Sequence, residues 1–369
     1  MNSQNPKILL ICLTRRGGLL QFNNCLANAL AVHCRTALLR AEISEKSPLN
    51  PDISIFELDT GIGKKGTIQN LFSPRTWNVI RKAVKEFQPD IVHITSAQEW
   101  NPCLGLYFRY FVRKPLVYTV HDVVQHDGIP LYFRITETIF RTIPKYFVVL
   151  SEQGKKIICQ KRVKPEHVLV VPHGIYDFFT GYQHPEVKPE KEILFFGRIE
   201  PYKGLNILFE AIKPVFQAHP DWKLRIAGGG DMQPYQKYLP NKNILIENRF
   251  LSNEEVADAM SRASMVVLPY LSASQSGVIP TAFAFSRPVI VTNVGSIPDM
   301  IQDHQTGLLI SPGNPASLTK AIMELISSEN LRQKLGQNGR KFADESLGWD
   351  AIAMKHLDFY QMILSDRRK

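Results

Sequence analysis

Short runs of apolar residues alternate along the first half of the chain with longer stretches in which apolar residues recur at helical spacing. The runs predict strands at Lys7–Leu13, Arg35–Arg40, Ser54–Leu58, Asp90–Thr95, Leu116–His121, Tyr146–Ser151 and Val168–Pro172. Amphipathic stretches such as Thr76–Phe87 and Glu152–Lys161 predict helices between several of them. Strands that alternate with helices are typical of a parallel sheet covered by helices on both faces.

The same alternation restarts after a segment without periodicity. Gly181–Lys191 contains two prolines and several charges, which predicts a linker. Beyond it, strands are expected at Glu192–Phe196, Lys223–Ala227, Ile244–Glu247, Met265–Pro269, Pro288–Thr292 and Gly307–Ile310. Helices are expected at Gly204–His219, Glu254–Arg262, Ala316–Ser327, Asn330–Ala343 and Trp349–Leu364.

This organisation predicts an α/β protein with two doubly wound, Rossmann-like domains. We expect an N-terminal domain at residues 1–180, a C-terminal domain at 181–348 and a final helix at 349–369. Ligands of open α/β sheets bind beyond the carboxyl ends of the strands. If two such edges face each other, they form a deep cleft between the domains.

Length and composition fit this reading. A chain of 369 residues is long for one core and suits two domains. No apolar run approaches the roughly 18 residues of a membrane span. Arg15-Arg16-Gly17-Gly18 follows the opening strand where a signal peptide would have a cleavage site, so we expect a cytoplasmic protein. The five cysteines are scattered without CxxC spacing and predict neither a disulfide framework nor a zinc site.

The net charge of +10 lies almost entirely in the first half. Residues 1–180 hold 23 Lys+Arg and 14 Asp+Glu, whereas residues 181–369 hold 21 and 20. An excess of basic residues confined to one half of the chain favours an anionic partner: a membrane surface, a polyphosphate-linked acceptor or nucleic acid. A generic solvated surface is the alternative. Tyr107–Lys114 interleaves aromatic and basic residues, as at a membrane interface, or forms a helix with a basic rim on the sheet.

The first chemical motif is Phe196–Gly204. Gly197, Arg198 and Lys203 follow a predicted strand and precede a predicted helix. Two cations beside free backbone N–H groups and the positive end of a helix dipole suit a diphosphate. A plain turn is the alternative.

The second motif is Tyr270–Gly295. A strand ends, a loop rich in serine follows, and a helix is expected near Gly277. Backbone N–H groups of Ser276, Gly277 and Val278 would point at an anion there. A helix cap without a ligand is the alternative reading.

Three weaker signals lie at other strand ends. Gly17 and Gly18 open the first helix, where glycine permits close approach of a ligand. His121 and Asp122 end a strand, where a lone histidine is more often structural. Gly229 lies in a glycine run that follows another strand and permits close approach of a nucleotide.

Taken together, these segments resemble glycosyltransferase family 4, whose members have the GT-B fold. The resemblance covers most of the chain and is strongest from Glu192 to Leu309. It implies that Arg198 and Lys203 grip the donor diphosphate. It also implies that the loop of Gly17 and Gly18 closes over the donor phosphates and the acceptor, and that the last helix crosses back to the N-terminal domain.

The resemblance also predicts which residues contact the sugar and the base. It implies that His121 lies beside the transferred sugar with Asp122 orienting it, and that backbone groups of Arg249 and Phe250 read the base. Where the family has two glutamates eight positions apart, this chain has Ala273 and Thr281. The loop instead resembles a variant of bacterial polysaccharide enzymes. In this variant Gln275 and Ser276 contact the β-phosphate or sugar, and Thr281 contacts a ribose hydroxyl.

The expected activity is therefore retaining sugar transfer from a UDP- or GDP-sugar to a hydroxyl of a glycan or lipid-linked acceptor, in bacterial polysaccharide or envelope glycan synthesis. No DxD-type carboxylate cluster is evident, so we expect metal-independent chemistry without a cofactor. An anionic membrane would place the protein peripherally on the inner face of the cell membrane. The alternatives are a nucleotide-sugar 2-epimerase and a donor-binding protein without activity. A nucleic-acid binder is disfavoured because no recognisable binding motif is present.

Overall fold

The computed structural model describes residues 5–45, 47–123 and 130–367. Its strands are β1 Lys7–Cys12, β2 Arg35–Ala41, β3 Ser54–Leu58, β4 Ile91–Ile94, β5 Leu116–Val120, β6 Tyr146–Val149, β7 Val168–Val170, β8 Glu192–Phe196, β9 Lys223–Ala227, β10 Ile244–Glu247, β11 Met265–Leu268, β12 Val289–Thr292 and β13 Gly307–Ile310. Its α-helices are α1 Gly18–His33, α2 Gly63–Leu71, α3 Pro74–Phe87, α4 Asn101–Leu106, α5 Leu131–Phe140, α6 Glu152–Cys159, α7 Leu205–Ala218, α8 Asn253–Arg262, α9 Val278–Ala284, α10 Pro315–Ser327, α11 Glu329–Ser346 and α12 Trp349–Asp366.

The chain divides into two compact units. The first comprises Met1–Pro172 and Trp349–Lys369, and the second comprises His173–Gly348. Residues 173–180 belong with the second unit because the 3₁₀ helix Asp177–Tyr182 packs against α8 and α9. The predicted boundary at residue 180 stays a prediction. Residues 183–190, within the predicted linker, contain neither helix nor strand.

The first unit is built on a parallel sheet of seven strands in the order β3-β2-β1-β4-β5-β6-β7. Residues of β1 point alternately to two buried clusters. Leu10 packs with Leu26 of α1 and Tyr360 of α12 on one face, while Leu9 packs with Ile80 of α3 and Phe140 of α5 on the other. Burial on both faces explains why these strands read as continuous apolar runs.

The second unit is a parallel sheet of six strands in the order β10-β9-β8-β11-β12-β13. Helices α7 and α10 cover one face, with Leu208 and Leu318 in the same buried cluster as Phe195 of β8. This strand order, with the fourth strand beside the first, is that of a doubly wound dinucleotide-binding sheet. In each sheet the strand order changes direction at a switch point, which lies between β1 and β4 in the first unit and between β8 and β11 in the second. The loops that follow the two strands of each switch point therefore lie side by side.

All thirteen strands in the described part of the chain lie where the apolar runs predicted them, with bounds that differ by at most two residues. The predicted α/β class is confirmed. The helix expected near Lys203 begins at Leu205, and the helix expected near Gly277 begins at Val278.

A buried histidine pair ties α12 to the sheet of the first unit. His93 Nδ1 lies 2.6 Å from Tyr360 Oη, and His93 Nε2 lies 2.7 Å from Thr119 Oγ1. The His356 ring lies 5.8 Å from that of His93, centroid to centroid. Burial lowers the pKa of His356 to about 4 and lowers that of His93 well below its ordinary value of 6.5. Both rings are therefore neutral at physiological pH.

We expect the free energy of unfolding of the first unit to fall as the pH drops from 6.5 to about 4. An unfolded histidine takes up a proton near pH 6.5, but His356 resists protonation down to about pH 4. The depressed pKa thus favours the unfolded chain in that window, by about 3 kcal/mol for His356 once the pH reaches 4. Chemical denaturation at pH 7.5, 5.5 and 4.5 measures this loss.

Two variants control this result. His356→Leu should show a shallower loss of stability over the same pH range. His304→Asn removes an exposed histidine and keeps a residue that tolerates its positive φ of 56°, so it should behave like the parent. Equal slopes for the parent and His356→Leu would contradict the assignment.

Candidate functional site

The loops that follow β8 and β11 meet at the switch point of the second sheet. The Leu271 N–H donates to the Tyr202 carbonyl at 2.7 Å. Gly204 has φ +69°, and a β-carbon there would collide with the carbonyl oxygen of Pro269. Only glycine fits this approach. Gly197 lies against Val278, the first residue of α9. The two motifs singled out in the sequence are therefore neighbours in space.

Lys203 is the half-buried cation of this site. Its Nζ lies 3.8 Å from the centroid of the Tyr270 ring and 5.2 Å from that of Tyr202, so it is held over aromatic faces. Burial opposes its charge, but the phenol groups of Tyr270 and Tyr202 outweigh burial and raise the pKa of Lys203 above its ordinary value. The ammonium group therefore remains charged at neutral pH.

Arg198 is the exposed cation of the same loop. Its side chain is 74% exposed, and it forms an ionic contact with Glu200 at 3.8 Å, a distance at which a solvated pair contributes little. The guanidinium can therefore reorient toward an anion at small cost. A half-buried ammonium held over two aromatic rings and an exposed guanidinium on one turn suit a ligand with two adjacent phosphates.

The loop from Tyr270 to Val278 is held by its own side chains. Ser276 Oγ lies 3.2 Å from Tyr270 Oη and accepts from the Val278 N–H at 3.3 Å, so this amide has a partner inside the loop. Thr281 Oγ1 donates to the Gly277 carbonyl at 2.8 Å and is 2% exposed. Gln275 Oε1 is buried and has no hydrogen-bond partner among the described residues. Of this set, the Gln275 amide oxygen is the acceptor still to be satisfied.

Two aromatic residues next to this loop were not among the predicted site residues. Gly277 packs against His173 and Tyr176, whose ring nitrogen Nε2 and hydroxyl lie 3.3 Å apart. No local pattern of the sequence links these residues to a loop a hundred residues later. The contact between Lys203 and the Tyr270 ring likewise arises only from the strand order.

The glycine run after β9 lies beside the residues predicted to read a base. A β-carbon at Gly229 would lie 3.6 Å from the Arg249 carbonyl carbon and 3.8 Å from the Phe250 nitrogen. The Arg249 N–H donates to the Glu247 carbonyl at 2.9 Å, and its guanidinium pairs with Glu255 at 2.6 Å. The role of these residues in base recognition stays a prediction.

In the first unit, His121 presents one buried ring nitrogen. Its Nε2 lies 2.9 Å from the Thr95 carbonyl and must donate to it, and its ring meets the Phe22 ring edge-to-face at 4.7 Å. Burial lowers the pKa of His121 despite the opposing effects of the Thr95 carbonyl and Asp122. In the neutral ring Nδ1 is therefore an acceptor. This atom is buried and has no hydrogen-bond partner within the described part of the chain.

Asp122 is held through its backbone. Its carbonyl accepts from Arg141 Nη2 at 2.8 Å, and Arg141 is paired with the buried Glu137 at 2.9 Å. The contacts of His121 come from Thr95 and Phe22, and Asp122 acts on its pKa through charge. The predicted orienting role of Asp122 stays a prediction.

The loop after β1 meets the loop after β4 at the switch point of the first sheet. Gln98 Nε2 donates to Thr14 Oγ1 at 2.6 Å. Gly17, with φ 83°, precedes α1, which begins at Gly18. The Arg15 guanidinium donates to Thr60 Oγ1 at 2.7 Å and to the Gly61 carbonyl. Arg15 thus links the loop after β1 to the residues that follow β3. Gln98 is a further polar residue at this switch point that the motifs did not indicate.

In residues 5–45, 47–123 and 130–367, no group of three or more His, Cys, Asp or Glu side chains is placed to hold a metal ion. No helix within the same ranges is both long and apolar enough to cross a bilayer. The expectation of metal-independent chemistry stays a prediction.

Two family models match the chain. The model described as "Glycosyl transferases group 1" matches residues 182–342, and the one described as "Glycosyltransferase Family 4" matches residues 58–177. An uncharacterized glycosyltransferase of Methanocaldococcus jannaschii is 35% identical over 272 residues, which cover 72% of this chain and 73% of that protein.

Solved structures share the whole fold. Sucrose-phosphate synthase of Thermosynechococcus elongatus has a TM-score of 0.76 at 19% identity and covers 98% of this chain and 100% of that chain. HepE of Anabaena, in complex with UDP and glucose, has a TM-score of 0.73 at 16% identity, with 97% and 100% covered. At such identities the likeness shows the fold alone: the two-domain α/β fold named GT-B is confirmed.

Proposed function

Because the chain belongs to the group 1 glycosyltransferases of family 4, we propose that it transfers a sugar from a UDP- or GDP-sugar to a hydroxyl of a glycan or lipid-linked acceptor, with retention of anomeric configuration. Its place would be bacterial polysaccharide or envelope glycan synthesis. The transferase family is established by the comparisons. The donor, the acceptor and the stereochemistry belong to the proposal.

One observation carries the donor proposal: the half-buried Lys203 and the exposed Arg198 lie on the turn at the switch point of the second sheet. The crevice outside the carboxyl ends of the strands is where open α/β sheets bind nucleotides. Lys203 supplies a fixed positive charge, and Arg198 supplies a planar fork that matches phosphate oxygens.

The proposed step breaks the bond between the anomeric carbon and the β-phosphate oxygen. The acceptor oxygen forms its bond to the same carbon from the same face, and the acceptor proton passes to the departing phosphate oxygen. Negative charge grows on the diphosphate as it leaves, and Lys203 and Arg198 stabilise that charge. Preorganised electrostatic stabilisation of this kind is usually the largest catalytic contribution. No metal or cofactor is required by this route.

The neutral side chains have the role of hydroxyl recognition. His121 Nδ1 in the first unit and Gln275 Oε1 in the second are each a buried acceptor without a partner in the described residues. Each would be satisfied by a hydroxyl donor of a substrate. The hydroxyls of Thr281 and Ser276 are engaged within their own loop but retain acceptor lone pairs. These contacts would replace the carboxylates that the family has at positions 273 and 281.

A thermal-shift screen tests the donor site. Purified protein is heated with UDP, GDP, ADP, CMP and the common UDP- and GDP-sugars. One nucleoside diphosphate and its sugars are expected to raise Tm by about 5 °C or more at a hundred times Kd, because a ligand that binds only the folded state at that concentration adds about 2.7 kcal/mol.

The outcomes separate the rival functions. Absence of any shift would overturn the donor site. A shift without turnover on any acceptor would favour a donor-binding protein, to which the absent glutamates point. Release of free nucleotide with a changed sugar and no acceptor requirement would favour an epimerase.

A further inference from the structure

The helices on one side of the first sheet carry an unusual charge. The segments 61–87, 101–114 and 130–145 contain α2 to α5. They hold twelve Lys and Arg residues and two acidic residues, Glu86 and Glu137. Glu137 is buried and paired with Arg141. The rest of the chain holds 32 basic and 32 acidic residues, so the whole net charge of +10 resides in these three segments.

The same three segments expose most of the large apolar side chains that face solvent among the described residues. Seventeen large hydrophobic residues are exposed in the described ranges, and ten of them lie in these segments. By contrast, α1 and α12 on the opposite side of the sheet expose only two in the described ranges, Val32 and Met354. We call the ten the basic apolar face: Ile62, Ile68, Phe72, Leu106, Tyr110, Phe111, Leu131, Tyr132, Ile135 and Ile139.

Helix α5 is the clearest case. It packs Phe140 into the core, and Gly105 of α4 lies against that ring. Its other side exposes Leu131, Ile135 and Ile139, spaced four residues apart along one stripe and 70%, 50% and 52% exposed. The outer stripe of a surface helix is normally polar. An exposed aliphatic stripe therefore indicates a surface that binds another molecule.

Packing also links the segments 61–87 and 101–114. The Trp77 ring of α3 meets the Tyr107 ring edge-to-face at 5.2 Å, and Trp77 Nε1 donates to the carbonyl of Leu71, the last residue of α2. Tyr107 begins the π-helical turn that ends at Phe111, which is 79% exposed. The aromatic stretch singled out in the sequence is therefore one part of a larger surface.

We propose that the basic apolar face docks on the surface of an anionic lipid bilayer. Aliphatic and aromatic side chains would enter the boundary between headgroups and acyl chains, while the surrounding cations meet anionic headgroups. Nucleic acid matches the charge but offers no hydrocarbon to the isoleucines and leucines. The inference goes beyond sugar transfer, since all of its residues lie outside the predicted site and it requires no turnover.

Vesicle sedimentation with the full chain tests this proposal. The protein is mixed with vesicles of phosphatidylcholine alone, or with 30 mol% phosphatidylglycerol. We expect binding to the anionic vesicles that is about tenfold or more tighter than to the neutral ones, and that weakens with added salt. The triple variant Leu131→Ser, Ile135→Ser, Ile139→Ser should weaken binding to anionic vesicles about tenfold.

Two further variants make the result specific. Val32→Ser with Met354→Ser removes exposed apolar residues from the opposite side and should bind like the parent. Arg113→Asn with Lys114→Gln should reduce the preference for anionic vesicles, and asparagine tolerates the positive φ of 56° at position 113. Circular dichroism and Tm establish that each variant is folded.

Three results would overturn the proposal. One is a parent protein that stays in the supernatant with anionic vesicles. Another is a triple variant that sediments like the parent. The third is a concentration-dependent dimer, abolished by the triple variant in ultracentrifugation, without vesicle binding; it would assign the face to a second copy of the chain. None of these results depends on donor binding or turnover, so the failure of this proposal and of the proposed function are distinguishable.

Discussion

Replacing Lys203 with methionine is expected to lower turnover by about two to three orders of magnitude, which is the usual loss when one preorganised charge-stabilising group is removed. Methionine keeps most of the volume that the lysine occupies against Tyr270, so the second unit should remain folded. Turnover is measured as release of nucleoside diphosphate from the donor that the thermal-shift screen identifies. If the charge acts mainly on the leaving group, kcat falls more than KM rises.

A matched control lies in the same unit. Lys237 also sits over a tyrosine ring, 4.9 Å from the centroid of Tyr238, but on the 3₁₀ helix Gln233–Tyr238 rather than on the loops after β8 or β11. Lys237→Met should therefore keep the parental turnover. Parental turnover in both variants would contradict the role of Lys203. Equal losses of turnover in both would indicate a general effect of removing a lysine from an aromatic ring.

The strands could be predicted because parallel strands buried on both faces must be apolar throughout. β1 and β11, for example, are entirely apolar from Ile8 to Cys12 and from Met265 to Leu268, and polar or glycine-containing loops follow them. The order of strands in each sheet was not readable, because it depends on contacts between segments far apart in the chain. The exposed stripe of α5 was also missed, since an apolar helix face predicts burial and not exposure.

The site was predictable only as separate loops. Each of the two motifs predicted to bind phosphate has a local signature, a strand end followed by glycine or serine and a helix start. What joins them is the adjacency of β8 and β11, which brings Lys203 onto Tyr270 across 67 positions of sequence. The link between Gln98 and Thr14 has the same origin at β1 and β4. Local patterns carry no information about such pairs.

The Arg198→Ala variant is expected to lose about a hundredfold in turnover while its stability stays within about 0.5 kcal/mol of the parent. The side chain is 74% exposed and its contact with Glu200 is long, so its removal leaves no buried group unsatisfied. Its effect should appear when charge develops on the departing diphosphate. Arg198→Lys should recover only part of the rate, because an ammonium group cannot form the bidentate fork.

Glu200 provides the control for this prediction. If Arg198 acts on the diphosphate, Glu200→Gln removes its ionic contact and should leave turnover unchanged or slightly raised, because the guanidinium is then freer to engage phosphate. If Arg198 served only to fix the turn through Glu200, both variants would lose activity alike and Tm would fall in both. Near-normal turnover in Arg198→Ala, together with full loss in Lys203→Met, would assign stabilisation of the leaving group to Lys203 alone.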